Sequence, residues 1–286
     1  MAVVALIVHH DRPSAAQLAA DCAAWLVAHG HEVRIPAEDA AVVGLDQHAV
    51  DHDRLVAGAE LAVSLGGDGT MLRTVELVAT HDIPLVGVNL GQLGYLTEVD
   101  PSHLIDSLER FFRGDYQIET RMLLDVAIES LSGGVTVARE IALNEAVLEK
   151  TLSGHTVRLD VAINGHRFTS YATDGLIVAT PTGSTAYAFS ARGPIVAPTH
   201  RALSLTPVSP HMLFDRTLVL DADTEVKVTV MGHRPSALTV DGRLLGELRR
   251  GDAVVCTRSR HEARFVIFTP RDFHQILKAK FGLSDR

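Results

Sequence analysis

Leu61-Ala-Val-Ser-Leu-Gly66-Gly67-Asp68-Gly69-Thr70-Met-Leu-Arg73-Thr74 is the stretch whose reading decides the fold. A short apolar run, Leu61 to Leu65, meets three glycines and then the helix-compatible segment Met71 to Thr80. Strand, glycine loop and helix in that order make a phosphate-binding layout. Glycines at 66, 67 and 69 let the backbone take positive φ and approach a ligand, and the first N–H groups of a helix favour an anion. An aspartate inside such a loop repels phosphate. Asp68 therefore serves as a proton acceptor or as a contact to a metal-bound nucleotide, unless it only caps a helix in a surface turn.

Outward from this stretch, strands and helices alternate. Val3 to Val8 is a continuous apolar run, as a parallel strand covered on both faces requires. Pro13 and Ser14 can start a helix whose apolar stripe is Leu18, Cys22, Trp25 and Leu26 and whose stop is Gly30. Glu32 to Ile35 and Pro84 to Val88 read as strands, residues 36–60 as a loop with one short helix, and Pro101 to Gly114 as a helix. The alternation predicts a doubly wound α/β sheet with ligands at the carboxyl ends of its strands.

From about residue 118 the apolar period changes to two. Met122 to Ile128 and Val135 to Ile141 form one expected hairpin across Ser132-Gly133-Gly134; Thr156 to Ile163 and His166 to Tyr171 form another across Asn164-Gly165. Further strands are expected at 176–179, 217–220, 225–230 and 254–257, with a turn at Asp241-Gly242, and a terminal helix over Asp272 to Phe281.

Composition narrows the function classes. A chain of 286 residues allows one large or two ordinary domains. With 26 Lys+Arg against 35 Asp+Glu, a net charge of -9 and no long block of one sign, a dedicated nucleic-acid binder is not expected. No apolar run approaches the ~20 residues of a membrane span, and the N-terminal run is too short for a signal peptide, so a soluble protein without a membrane partner is expected. Cys22 and Cys256 lack zinc or redox spacing, which suits a reducing cytoplasm. The histidines show no zinc pattern, no Gly-Lys-Ser/Thr follows the glycines, and neither a dinucleotide fingerprint nor a nucleophile elbow is present.

Two further constellations carry polar chemistry. Tyr171 to Ser190 holds Asp174, a short apolar strand, and the loop Thr180-Pro-Thr-Gly-Ser-Thr185, poor in charge and rich in hydroxyls. Ala186, Tyr187 and Ser190 would sit on the first turn of a helix, where an aromatic face and small side chains can enclose a base or a ribose; an ordinary helix-capping turn is the plainer alternative. Asn144-Glu145 pairs an amide, donor and acceptor, with a carboxylate that only accepts, a combination able to read an adenine edge and ribose hydroxyls, although taken alone an ordinary exposed dipeptide is the plainer reading. Arg73, four residues beyond Gly69, can reach back toward a phosphate or equally stand as a solvated helix residue.

Taken together these stretches resemble the NAD kinase family. The resemblance runs through Gly66 to Thr70, Asn89-Leu-Gly-Gln-Leu-Gly-Tyr-Leu-Thr97, Leu143 to Leu148, Asp174 to Ser190 and Leu205-Thr-Pro-Val-Ser-Pro-His211, in that order and over most of the chain. The first block is shared with lipid kinases; the Asn-Glu and Thr-Pro-Thr-Gly-Ser-Thr blocks are not. The resemblance implies an α/β domain at residues 1–117 carrying the glycine loop, a β-rich NAD-binding domain at 118–265, a tail at 266–286 returning to the first domain, and an active site between the domains. It implies transfer of the γ-phosphoryl of ATP, or of a polyphosphate, to the 2′-hydroxyl of the adenosine ribose of NAD, with Mg²⁺ or another divalent metal and no fixed protein ligands to it. Asp68 would be the catalytic base. Gly66, Gly67, Gly69 and Thr70 would hold the donor. Asp68, Gly69, Arg73, Asn144, Glu145, His155, Asp174, Thr185, Ala186, Tyr187, Ala188, Phe189 and Ser190 would bind NAD, in a homodimer or homotetramer. Two positions depart from the pattern: Arg192 stands where glycine is usual, either straining its turn or adding a phosphate contact, and Thr217 replaces a common proline after Arg216. A kinase for another hydroxyl acceptor and a non-catalytic NAD(H)- or NADP-binding regulator are the competing readings.

Overall fold

The computed structural model describes residues 1–91, 94–130, 138–270 and 272–283. Met1–Thr120 with Ala263–Arg286 packs as one compact unit, and Arg121–Glu262 as another.

The first unit contains β1 (Val3–Val8), α1 (Pro13–Ala28), β2 (Glu32–Pro36), α2 (Ala37–Val43), β3 (Ala49–Val50), α3 (His52–Val56), β4 (Leu61–Gly66), α4 (Asp68–Val78), β5 (Leu85–Asn89) and α5 (Leu104–Phe112). The strands pair in parallel in the order β5-β4-β1-β2-β3. Every residue of β4 and all but Val3 of β1 are buried, which is why both read as unbroken apolar runs. The chain builds β2 and β3 to one side of β1, then places β4 on its other side. The order reverses between β1 and β4, and the loops leaving their carboxyl ends border that crevice.

Two expectations are corrected here. Residues 36–60 hold two short helices rather than one: α2 stops at Gly44, whose φ is +72°, and the Asp51 side chain caps α3 by accepting the Arg54 N–H. Helix α4 starts at Asp68, not Met71. The cause is the glycines, none of which takes positive φ at 66, 67 or 69. Gly66 is needed for close packing, since a Cβ there would lie 2.1 Å from Thr70 Oγ1, whereas Gly67 and Gly69 face open space. The sequence therefore winds directly from strand into helix.

The second unit follows through β6 (Gln117–Glu129), β7 (Arg139–Ala142), β8 (Glu145–Lys150), β9 (Val157–Ile163), β10 (His166–Thr173), β11 (Gly175–Ala179), α6 (Tyr187–Ser190), β12 (Ala202–Val208), β13 (Leu218–Asp221), β14 (Val226–Val230), β15 (Ser236–Val240), β16 (Arg243–Leu248) and β17 (Ala253–Ile267). One antiparallel sheet has the order β13-β12-β11-β8-β15-β16. Its Leu148, Leu176, Val178 and Leu205 share a core with Leu159, Val161, Val226 and Val228 of β9 and β14. Strands β14 and β15 alternate buried and half-buried residues, the pattern of a sheet with one covered face. The Asn164-Gly165 and Asp241-Gly242 turns both have positive φ at both residues, as a two-residue hairpin demands. The β6–β7 hairpin forms, but its expected turn at 132–134 lies outside the described residues.

Strand β17 is far longer than the expected 254–257 because Arg258-Ser-Arg-His-Glu262 interrupts the apolar signal without interrupting the strand. Its last residues belong to the first unit, where Phe265 pairs in parallel with Leu85 of β5. Helix α7 (Phe273–Phe281) follows, capped by Asp272, which accepts the N–H groups of His274 and Gln275. Among the described residues no helix is long and apolar enough to cross a membrane. Both cysteines are free and buried, and burial pushes each thiol up to about 12.

Candidate active site

In the first unit, a cavity of about 440 Å³ lies at the crevice between β1 and β4, lined by Val8 to Arg12, Gly67 to Thr70 and Arg73. Asp68 is the first residue of α4 and borders it. Its two carboxylate oxygens accept the N–H groups of Tyr95 at 3.0 Å and Leu96 at 3.1 Å. The glycine before them permits this approach: a Cβ on Gly94 would sit 2.3 Å from Asp68 Oδ1. Gly94 to Leu96, recognisable in the sequence only as part of a motif, thus have a mechanical task. They fix the carboxylate rotamer while leaving each oxygen a lone pair for a proton.

Arg73 lines the same cavity, but its guanidinium is not free for a phosphate as the sequence suggested. It forms a two-pronged pair with Asp39, Nη1 to Oδ1 at 2.8 Å and Nη2 to Oδ2 at 2.5 Å, and donates to the Val8 carbonyl at 2.9 Å. Asp39 is fully buried and also accepts the Val8 N–H at 2.7 Å. A buried carboxylate requires such pairing, and the pairing ties α4 to the end of β1. Among the described residues His10, Glu38 and Asp39 bring ligand atoms within 4.8 Å of one another, but Arg73 donates to Glu38 and Asp39 and lies 3.1 Å from His10 Nε2, so an arginine supplies the cation. Arg12 donates to the Leu90 carbonyl, holding the other wall.

In the second unit the remaining residues gather around the start of β8. Asp241, from the β15–β16 turn, accepts three consecutive N–H groups, Leu143 at 2.7 Å, Asn144 at 2.8 Å and Glu145 at 3.0 Å. The Asn144 carbonyl accepts the Thr180 N–H at 2.9 Å, and Gly183 lies so close that a Cβ would stand 2.2 Å from that carbonyl oxygen. The Asn144 backbone is pinned on two sides while its amide makes no hydrogen bond among the described residues.

Glu145 is 6% exposed, and its Oε2 has no hydrogen-bond partner. Burial first, and the neighbouring Asp241 second, push its carboxyl up to about 8, against a smaller opposing effect of the Tyr187 N–H. A carboxyl raised this far can donate a hydrogen bond when protonated as well as accept one when ionised. Tyr187 is hydrogen-bonded to Glu149, and burial together with Glu149 and Asp174 raises its phenol above the usual range. Asp174 pairs with Lys150 at 2.7 Å. Thr185 to Ser190 flank this group, with α6 a single turn and Ala188 buried against Val147, Ile177 and Ala179.

Three hydroxyls of the Thr180 to Thr185 loop bond to backbone carbonyls. Ser184 Oγ donates to the Pro181 carbonyl at 2.6 Å and accepts the Val196 N–H at 3.0 Å, Thr185 donates to the Thr182 carbonyl, and Thr180 donates to Leu143. These bonds shape the loop, while Thr182 Oγ1 is buried without a hydrogen-bond partner among the described residues. His155 is exposed in the connection between β8 and β9 and makes no hydrogen bond or ion pair among the described residues. Asp39, Glu149 and Asp241 were not singled out from sequence; only the Asp-Gly turn signal marked one of them.

Comparison with known proteins covers the whole chain. Residues 4–116 match the ATP-NAD kinase N-terminal domain and residues 143–268 the ATP-NAD kinase C-terminal domain. The chain is 40% identical over 281 residues to the NAD kinase of Heliobacterium modesticaldum, covering 98% of each, and 37% identical over 278 residues to that of Geobacter sulfurreducens, covering 97% of this chain and 96% of the other. The fold is that of a yeast NADH kinase complexed with NADH, with a TM-score of 0.90 at 24% identity over 100% of this chain and 89% of the other. An Archaeoglobus fulgidus NAD kinase in complex with ATP has a TM-score of 0.67 at 22% identity, covering 98% of this chain and 97% of the other.

Proposed function

The chain belongs to the NAD kinase family and phosphorylates NAD, and from that premise we propose how its residues divide the reaction. Asp68 accepts the proton of the adenosine ribose 2′-hydroxyl as that oxygen bonds to the γ-phosphorus of ATP; the bond from the γ-phosphorus to the β,γ-bridging oxygen breaks, ADP departs as the leaving group, and NADP is the product. The observation that carries this reading is the clamped carboxylate: Asp68 is held by two backbone N–H groups at the edge of a cavity of about 440 Å³. A base fixed in one rotamer loses little freedom in the transition state.

The donor phosphates lie against the N–H groups at the start of α4, where Gly67 and Gly69 leave open space, with Arg73 behind them. A divalent cation fits this cavity, since Mg²⁺ carried on donor phosphates needs only one or two carboxylates, and Asp11 and Asp68 line it. When bound, it neutralises charge on the transferring phosphoryl group. Asn144 reads the adenine edge, Glu145 and Asp174 meet ribose hydroxyls, and Thr185 to Ser190 close over the nucleoside. ATP is the donor by analogy with the Archaeoglobus fulgidus enzyme, and polyphosphate the alternative. We assign the enzyme to the cytoplasm as a homodimer or homotetramer on the family resemblance.

The test is NADP formation by the purified protein with NAD, ATP and Mg²⁺, beside Asp68→Asn and a polyphosphate reaction. Turnover should fall by about 10²–10⁴-fold in the variant while NAD still binds. Absence of turnover in a folded wild-type protein that binds NAD overturns the reading.

A further inference from the structure

The turn that closes α6 places a cation where its backbone asks for glycine. Gly193 N–H bonds to the Ala188 carbonyl at 2.8 Å and Arg192 N–H to the Phe189 carbonyl at 2.9 Å, the paired bonds of a Schellman ending. That ending requires a left-handed residue just past the helix, and the residue is Arg192, with φ +65°. A side chain with a Cβ adopts this conformation at a cost that glycine avoids. No internal contact compensates it, because the Arg192 guanidinium makes no hydrogen bond or ion pair among the described residues.

The side chain borders instead a cavity of about 450 Å³, whose polar lining is Ser190, Arg192, Ser209, Asp215, Arg216 and Thr217. Two arginines and one carboxylate border this cavity, and that carboxylate, Asp215, stands 3.5 Å from Arg216 Nε without closing a short pair. Arginine forks with nearby hydroxyls suit phosphate oxygens, which they bind in pairs. Ser190 belongs both to this lining and to the residues assigned above to NAD.

We propose that Arg192, with Arg216, forms a phosphate subsite beside the dinucleotide site. It takes either the pyrophosphate common to NAD and NADP or the 2′-phosphate that NADP alone carries. The proposal rests on the reading of Ser190 as a dinucleotide contact.

Calorimetric binding of NAD and of NADP to the whole protein, without donor or metal, tests it in wild type, Arg192→Gln, Arg192→Lys, Arg192→Gly and Arg216→Gln. Each Gln variant should weaken binding about five- to tenfold, and Lys should recover part of the loss. Equal weakening for both dinucleotides assigns the pyrophosphate; weakening for NADP alone assigns the 2′-phosphate. Arg192→Gly should bind more weakly yet melt at a higher temperature, a divergence that a merely structural arginine does not produce. Affinities within about twofold of wild type in both Gln variants overturn the subsite, as does a wild-type protein that binds neither dinucleotide. Because no turnover is needed, a protein that binds NADP through Arg192 but makes none from NAD leaves the subsite standing and removes the kinase mechanism.

Discussion

Glu145 shows how far a single residue can be moved from its ordinary chemistry. In an unfolded chain its carboxyl ionises near 4.5; in the fold, burial and Asp241 delay this to about 8. Below about 4.5 both states hold the proton, and between the two values only the folded state does. The stability it contributes is thus fully present below about 4.5 and is lost as pH rises through about 8. Glu145→Gln cannot ionise, so it should gain on wild type across that window by on the order of a few kcal/mol, read from urea melts at the two ends. A difference that stays constant with pH would mean an ordinary carboxyl. Gly94→Ala tests the other acid: its Cβ, 2.3 Å from Asp68 Oδ1, displaces the carboxylate, and kcat should fall about tenfold or more while NAD affinity holds. Asp68 was legible in the sequence because a carboxylate among phosphate-binding glycines is chemically odd. Asp39 and Asp241 were not, since their bonds go to backbone and side-chain groups 31 to 98 positions away, which no local pattern records.

At the scale of elements, glycine and aspartate turns do the positioning. The β15–β16 hairpin carries Asp241 at its tip, and three N–H groups of the Leu143-Asn-Glu145 corner converge on that one carboxylate. Asp241→Ala leaves them without a partner and should cost about 3 kcal/mol in urea denaturation, with weakened NAD binding as the corner relaxes. A loss of stability without any change in affinity would separate the corner from the ligand. The end of α6 makes the reverse case: Arg192→Gly relieves a left-handed arginine and should stabilise by about 1 kcal/mol in the same assay. Sequence periodicity located most strands but missed β3, β8, β12, β15 and β16, and it started α4 three residues late because glycines read as loop even where they wind as helix.

For the molecule as a whole, the alternating first half and the period-two second half announced the two kinds of architecture. What sequence could not announce from pattern was the long β17, in which charged residues continue a strand. That return has a consequence during synthesis. β5 finds its neighbour β4 at once and Val99 bridges to Val88 soon after, but the Leu85 end of its other edge waits for Phe265, which is made 180 residues after Leu85. At roughly 5–20 residues per second the emerging chain carries an open, apolar strand edge for about ten to forty seconds. A chain ending at Glu262 should therefore be recovered mainly as aggregate, and adding residues 263–286 as a separate peptide during refolding should restore soluble material. Soluble, well-folded protein without that peptide would show that β5 tolerates its bare edge. The enzyme's first-made sheet is the one whose completion comes last, and the ribosome's pace is part of the environment in which it must stay in solution.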